Sequence, residues 1–254
     1  MDEKAGLFVW GESDLWVYCQ GRSCCAREYF EKRAYREHPW GQAIVAIHPG
    51  AIQLVAIDVV GVLSNKHFRR HQRHCLALHL DKKLEGQQCF ALDTVELADG
   101  VYKHWVGVCD GSALLTCWEW LYRKLQKKPE VVAPVLWLKS AWETSLNCHY
   151  SDVVILHHEG QTMVLMVYRN DQLVFYQSFV IDSDFPALFL KRWSYLVDES
   201  VVEMSDQLLI VKNEKASFGD IRAHLSWGGG VDIMEVSADE KHSSIFLSAA
   251  WRGI

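Results

Sequence analysis

Residues 151–181 read SDVVILHHEGQTMVLMVYRNDQLVFYQSFVI and decide the fold of this chain. Three apolar runs, at 153–158, 163–168 and 173–181, are separated by Glu159-Gly160-Gln161 and by Asn170-Asp171. Both separators are typical of tight turns between strands. The pattern therefore predicts three consecutive antiparallel strands, and a helix in this stretch would contradict the prediction.

A stretch near the start of the chain repeats this design. Residues 7–20 (LFVWGESDLWVYCQ) place apolar runs on both sides of Gly11-Glu12-Ser13-Asp14, which predicts a strand, a turn and a second strand. Because the same arrangement occurs at residues 7 and 153, we expect two related halves. No proline-rich or glycine/serine-rich linker separates them, so we expect packed lobes.

The remaining predicted elements alternate between strands and helices, which indicates an α/β fold. Further strands are expected at 43–48, 52–60, 89–97, 101–109, 131–138 and 208–211, with an edge strand at 231–236. Helices are expected at 65–84, 112–126, 141–146, 185–198, 218–225 and 243–252. Residues 27–37 are expected to form a short helix or an irregular exposed stretch.

The composition is that of a folded globular protein. Half of the 254 residues are hydrophobic, which is too much apolar surface for a disordered chain. Since the formal net charge is −6, nucleic acid is not expected as a partner. No apolar run approaches the roughly 20 residues that a membrane-spanning helix needs, and the acidic start MDEK is unlike a secretory signal. The eight cysteines are expected to be reduced and structural, in the cytosol.

Three segments of the sequence resemble parts of the actin-like PilM/MshI family of type IV pilus assembly proteins. Residues 151–181 are similar to the family's second phosphate hairpin and the strand that follows it. Residues 129–147 are similar to the strand–helix junction between its lobes, and residues 243–253 (SSIFLSAAWRG) to its closing helix. The cytoplasmic part of the type II secretion L protein is a more distant likeness.

The resemblance implies a two-lobed actin-like (ribonuclease H-like) fold with an inserted α/β subdomain. Residues 1–40 and 127–150 would form the first lobe, to which 243–254 return. Residues 41–126 would be the inserted subdomain, and residues 151–242 the second lobe. It also implies a cytoplasmic scaffold without catalytic activity, at the inner-membrane face of an MSHA-like pilus platform. The implied partner is the cytoplasmic tail of a PilN-like membrane protein, with the assembly ATPase as a further partner.

The nucleotide cleft that the resemblance implies is degenerate in this sequence. An actin-like phosphate loop needs an aspartate for the Mg²⁺ water shell and a glycine that lets phosphate approach the backbone. The first loop has Trp10 in place of that aspartate, and in the second, Glu159-Gly160 is the nearest remnant. We therefore expect no bound cofactor and no tight ATP binding. The residues that would line this cleft are Gly11, Glu12, Ser13, Glu159, Gly160, Gln161, Gly228 and Gly229; the two last belong to a run that reads equally well as a turn.

The predicted helix at 65–84 concentrates positive charge, with six basic residues and one aspartate. Such a face, beside the strand edges of a hairpin at 89–109, suits an acidic extended tail. We expect Arg69, Arg70 and Arg73 to contact the partner, and Trp40, beside Pro39 and Gly41, to lie at an interface. Histidines at 67, 71 and 74 have metal-ligand spacing, but their basic neighbours oppose a bound cation.

Two alternatives to the scaffold stay open at this point. One is an actin-like ATP-binding switch of the same machine, or an L-like cytoplasmic domain. The other is a sugar-kinase-like enzyme, which would need a catalytic aspartate and two intact phosphate loops. No common hydrolase, metalloprotease, Walker or Rossmann motif occurs in the sequence, so we expect no enzymatic activity.

Overall fold

A computed structural model describes residues 5–11, 14–19, 22–32, 40–60, 87–98, 101–213, 225, 227–236 and 242–252. The chain divides into two compact units, Met1–Ala133 and Pro134–Ile254. Among the described residues, no helix combines the length and the hydropathy needed to cross a membrane. The side chains of Cys24, Cys25, Cys109, Cys117 and Cys148 form no disulfide with one another.

The first unit is built on a five-stranded sheet in the order β3-β2-β1-β4-β8. Strands β1 to β3 form an antiparallel meander, whereas β4 is parallel to β1 and β8 is parallel to β4. A helix, α1, follows β3 directly. The elements are β1 (Ala5–Trp10), β2 (Leu15–Cys19), β3 (Arg22–Cys25), α1 (Ala26–Lys32), β4 (Gln42–Ile47) and β8 (Glu130–Val132).

Between the neighbouring strands β4 and β8, the chain makes a separate antiparallel sheet in the order β5-β7-β6. A helix with an Asp110 N-cap, α2, packs on it. The elements are β5 (Gln53–Val60), β6 (Gln87–Ala98), β7 (Val101–Asp110) and α2 (Gly111–Leu125). The insertion expected from residue 41 therefore begins later, because the hydrogen bonds of β4 place this strand inside the five-stranded sheet.

The second unit contains a second five-stranded sheet, in the order β11-β10-β9-β12-β13. Helix α4 covers one face of its meander, and α3 packs against α5. The units therefore differ from the predicted lobes, which grouped residues 134–150 and 243–254 with the first. The elements are α3 (Leu138–Leu146), β9 (Val153–Glu159), β10 (Thr162–Arg169), β11 (Gln172–Val180), α4 (Phe185–Asp198), β12 (Gln207–Asn213), β13 (Val231–Val236) and α5 (Ser244–Arg252).

The two five-stranded sheets share one topology. In the second, β9 to β11 form an antiparallel meander, β12 is parallel to β9 and β13 is parallel to β12. This repeats the order and the directions of β1, β2, β3, β4 and β8. The repeated strand–turn–strand pattern in the sequence thus did indicate two related halves, and the meander predicted from residues 151–181 is confirmed.

One predicted strand is wrong. Residues 131–138 form an apolar run, but only Glu130–Val132 is a strand, and Pro134–Trp137 is a 3₁₀ turn leading into α3. Pro134 explains the break, since proline has no N–H to donate to a sheet and favours the first turn of a helix. The predicted helices at 65–84 and 218–225 lie largely outside the described residues.

The aromatic core of the first unit includes Trp40, whose side chain is only 4% exposed. Its ring stacks on Tyr29, with centroids 5.2 Å apart, and meets Phe8 edge-on at 5.4 Å. Its carbonyl oxygen accepts a hydrogen bond from the Lys127 ammonium at 2.6 Å. The expected interface position of Trp40 is therefore wrong, because its ring fills space inside the unit.

Gly6 makes the room for that ring. A Cβ at this position would lie 2.5 Å from Cδ2 of Trp40 and 2.6 Å from Cε3. We expect Gly6→Ala to cost about 2 kcal/mol of unfolding free energy, because the indole must shift within a packed core. Chemical denaturation followed by tryptophan fluorescence measures this loss. Gly228→Ala is a suitable control, since a Cβ there would meet only one carbonyl oxygen, at 3.6 Å; equal losses for the two variants would contradict the explanation.

Candidate functional site

The first of the two predicted phosphate loops joins β1 to β2. Trp10, where an actin-like loop has its aspartate, is 5% exposed and belongs to the core. The Gly11 N–H donates to the carbonyl of Asp14 at 2.8 Å, which closes the hairpin. That amide is thus already engaged and not turned toward a ligand. Glu12 and Ser13 lie outside the described residues.

The second predicted loop is the turn between β9 and β10. Gly160 and Gln161 form a two-residue connection between the paired residues Glu159 and Thr162. Gly160 has a φ of 60°, which suits glycine at the first position of a type II′ hairpin turn. The ring nitrogen Nε2 of His158 lies 2.9 Å from the Gly160 carbonyl oxygen, and burial lowers the pKa of this histidine. The turn is exposed, but its acidic residue is not.

Glu159 is buried, with only 1% of its surface exposed. Its Oε1 accepts a hydrogen bond from the Ser243 backbone N–H at 2.9 Å, and its Oε2 accepts one from the Ser243 hydroxyl at 2.6 Å. The same Oε2 lies 2.9 Å from Nε2 of His157, which is fully buried. The carboxylate of Glu159, the nearest remnant of a phosphate-loop acid, is therefore hydrogen-bonded within the protein.

Ser243 in turn caps helix α5. Its hydroxyl oxygen accepts a hydrogen bond from the Phe246 N–H at 3.1 Å, which is the usual role of an N-cap serine. The His157–Glu159–Ser243 network thus joins the end of β9 to the start of a helix 84 residues later. A carboxylate at a helix N-terminus is also favoured by the helix dipole.

The network unites a serine, a histidine and a glutamate, but not as a hydrolytic triad. In a triad, the serine contacts one imidazole nitrogen and the acid holds the other. Here Ser243 and Glu159 both approach Nε2 of His157, at 3.3 and 2.9 Å. Within the described residues, the buried Nδ1 has no hydrogen-bond partner. The hydrogen bonds of this network at Ser243 are those of a helix N-cap.

The glycine run at 228–230 packs against the turn that precedes β12. The amides of Gly228 and Gly229 both donate to the Met204 carbonyl, at 3.1 and 2.9 Å. A Cβ on Gly229 would overlap the carbonyl oxygen of Asp206. Of the two interpretations that the sequence left open, these contacts favour the turn, because they account for both glycines without a ligand.

The second unit contains a polar cluster that the sequence did not predict. The Lys139 ammonium lies 2.6 Å from Oε1 of Glu143 and 2.7 Å from Oδ1 of Asp171. His149 approaches the same two carboxylates, at 3.0 and 3.3 Å. Glu143, His149 and Asp171 are close enough to share a cation, but Lys139 already holds both carboxylates. Only the i,i+4 spacing of Lys139 and Glu143 was visible in the sequence.

The predicted basic face cannot be placed, since Arg69, Arg70 and Arg73 lie outside the described residues, as do the histidines at 67, 71 and 74. The neighbouring hairpin is confirmed as β6 and β7. Strand β6 is an edge of its three-stranded sheet. The role of the arginines stays a prediction.

Comparison with solved structures identifies the architecture. A Bacteroides thetaiotaomicron protein with an actin-like ATPase fold and unknown function superposes with a TM-score of 0.62 at 10% identity, over 98% of this chain and 96% of that chain. A chain of the PilM–PilN type IV pilus biogenesis complex superposes with a TM-score of 0.66 at 13% identity, over 98% of both chains. The fold is actin-like. No protein-family model and no curated protein matches the sequence. This actin-like chain has two five-stranded sheets of equal topology. Of the described loop residues expected to hold phosphate, Gly11 and Glu159 are hydrogen-bonded within the protein.

Proposed function

We propose that this chain is a non-catalytic, cytoplasmic scaffold of a type IV pilus assembly platform at the inner membrane. In this role it binds the cytoplasmic tail of a PilN-like membrane protein. The observation that carries the proposal is the fold likeness, over 98% of both chains, to a component of a PilM–PilN complex. An MSHA-like pilus and contact with an assembly ATPase are finer parts of the same proposal.

The state of the candidate cleft supports binding over catalysis. Phosphoryl chemistry needs positioned acids for Mg²⁺ and free backbone donors for phosphate. Trp10 is buried where an acid would be needed, and Glu159 is committed to Ser243. The amide of Gly11 is engaged within its hairpin. At the described positions of the two loops, the acid is replaced or hydrogen-bonded within the protein, which supports a binding role over nucleotide chemistry.

The inserted sheet supplies a place for an extended tail. Strand β6 lies at a sheet edge, and an edge strand offers unpaired backbone groups to an added strand. The sequence places Arg69, Arg70 and Arg73 in the segment that directly precedes β6. An acidic tail would be attracted to these arginines at low ionic strength and released as salt rises.

The test is binding of the synthetic cytoplasmic tail of a PilN-like protein from the same genome, measured by calorimetry. We expect Arg69→Glu/Arg70→Glu/Arg73→Glu to weaken binding at least about tenfold and to remove its salt dependence, while Tm stays within a few degrees. The control is Arg123→Glu/Lys124→Glu/Lys128→Glu, which makes the same charge change at exposed positions of the same unit. Unchanged affinity in the first variant, or no tail binding at all, would contradict the proposal.

Addition of Mg·ATP separates the scaffold from the ATP-binding switch. A ligand at a hundred times its dissociation constant adds about 2.7 kcal/mol of stability, which a thermal melt detects easily. We expect no rise in Tm at millimolar Mg·ATP. A clear rise would favour the switch instead.

A further inference from the structure

The sheet of the second unit has two edges with opposite character. Strand β13 (VDIMEV) carries two acids: Asp232 accepts hydrogen bonds from Tyr150 and Gln207, and Glu235 pairs with Lys212. Strand β11 (QLVFYQSFV) carries no charge and no proline over nine residues. Natural sheets protect their edges with charges, prolines or short strands. Apart from one bulge near its start, β11 has none of these protections.

Alternation of hydrogen bonds shows which backbone groups of β11 face outward. The Ile181 N–H donates to the Gln161 carbonyl at 2.8 Å, so this pair is a hydrogen-bonded one. Facing residues in an antiparallel ladder alternate between bonded and non-bonded pairs. Residues 175, 177 and 179 therefore bond to β10, whereas the N–H and C=O groups of Tyr176, Ser178 and Val180 point away from the sheet.

A cationic side chain lies beside this edge. The guanidinium of Arg192, on α4, lies 5.5 Å from the ring centroids of both Phe175 and Tyr195. Its Nε donates to the side-chain oxygen of Gln177 on β11. Among the described residues, no carboxylate lies within ion-pair distance of Arg192. A guanidinium held near two rings and hydrogen-bonded to Gln177 is preorganised for a carboxylate, and the rings keep part of it from water.

Exposed apolar side chains continue the surface. Leu188 and Tyr195, one helical turn before and one after Arg192, are 56% and 51% exposed. Their spacing places them on the same face of α4 as Arg192. Leu188, Arg192 and Tyr195 thus form a stripe on α4 beside the edge of β11.

We propose that β11 is a docking edge that accepts an extended acidic segment of a partner protein as a sixth strand. The backbone groups of Tyr176, Ser178 and Val180 pair with the added strand. A carboxylate on that strand binds Arg192, and apolar side chains on either side of the carboxylate contact Leu188 and Tyr195. Main-chain pairing supplies affinity, and Arg192 supplies selection for an acid. This edge belongs to the second unit, whereas the tail site is proposed on the inserted sheet of the first unit.

Charge argues against a second copy of this chain as the occupant. Antiparallel pairing of two β11 edges would bring Arg192 of both copies to the same face of one continuous sheet. Like charges at a shared face oppose association. An acidic strand complements the same position.

The test uses a capped peptide, Thr-Val-Thr-Glu-Thr-Val-Thr, which places valine, glutamate and valine on one face, and its glutamine counterpart. We expect the glutamate peptide to bind in fluorescence anisotropy and to protect the amides of Tyr176 and Ser178 from hydrogen exchange. We expect the glutamine peptide, and the variants Arg192→Gln and Ser178→Pro, each to lose at least about tenfold in affinity. Ser178→Pro removes an outward N–H, together with the Ser178 hydroxyl that interacts with Tyr176, and spares the bonds to β10.

Lys191→Gln is the matched control, because it makes the same charge change at an exposed neighbour and should bind the peptide normally. Absence of binding, or equal binding by Arg192→Gln and wild type, would overturn the proposal. Self-association that Ser178→Pro abolishes in sedimentation would also overturn it, by showing a second copy on this edge. Because Arg192→Gln alters no ladder hydrogen bond, the test holds even if Ser178→Pro fails to fold.

Discussion

Glu159→Ala is expected to lower the unfolding free energy by about 3 kcal/mol, with a fall in Tm of roughly 10 °C. The substitution leaves the Ser243 N–H and hydroxyl and the His157 ring without their carboxylate, in a place that water does not reach. It also removes a negative charge from the start of α5. Differential scanning calorimetry, with circular dichroism to follow helix content, measures the loss.

A double-mutant cycle tests whether the cost arises at the helix cap. Ser243→Ala removes the hydroxyl but keeps the backbone N–H, so the two substitutions should be strongly non-additive. Glu199→Ala, at an exposed glutamate after α4, should cost no more than about 0.5 kcal/mol. If Glu159→Ala lowered the unfolding free energy no more than Glu199→Ala, the network would not contribute to stability.

Lys139→Met is expected to cost about 2 kcal/mol. The methionine fills the space of the lysine stem but leaves Glu143 and Asp171 facing each other without the ammonium between them. Removing one partner of a buried pair is costly, and the half-exposed Asp171 reduces that cost through solvent screening. Urea unfolding measures the difference. The control is Lys212→Met, which breaks the exposed ion pair with Glu235 at a similar 2.7 Å and should cost under about 0.5 kcal/mol.

The same cluster gives the stability a defined pH dependence. The hydrogen bond from Lys139 lowers the pKa of Asp171 below the usual value of an aspartate, 3.8. The resulting stabilisation is present above the pKa of the unfolded carboxyl and is lost as pH falls through the lower folded pKa. Burial opposes the charged form of Lys139, but its hydrogen bonds to Asp171 and Glu143 raise its pKa above 10.5, so the ammonium persists at neutral pH. Lys139→Met should therefore lose less stability than wild type on acidification below pH 4, and equal losses would contradict this account.

Local patterns predicted most of the fold. The β9–β11 meander was visible because its turns have their own chemistry: Asn170 and Asp171 both adopt positive φ, at 49° and 65°, as a type I′ turn requires. The strand predicted at 131–138 was wrong, because an apolar run can form either a strand or the entry to a helix. Pro134 favours the helix entry. Trp40 was misplaced because nothing near it in the sequence shows that Gly6 leaves room for its ring.

The candidate site was less predictable, because its contacts join residues that are far apart in the sequence. That Trp10 stands where the family has an acid stays a prediction from the sequence, and the structure adds that Trp10 is buried. The sequence could not show that Glu159 is buried, since its hydrogen-bond partner Ser243 comes 84 residues later. The Lys139–Asp171 pair likewise joins α3 to the β10–β11 turn, 32 residues apart. Contacts of this kind depend on tertiary structure and leave no periodic signal.

The long span from Glu159 to Ser243 also orders events during synthesis on the ribosome. The β9–β10 hairpin can form as soon as it emerges, but its carboxylate then has no partner and must stay hydrated. Only when Ser243 has emerged, 84 residues later, can the end of the hairpin lose its water and close. At roughly 5–20 residues per second, the nascent second unit carries this open polar end for several seconds.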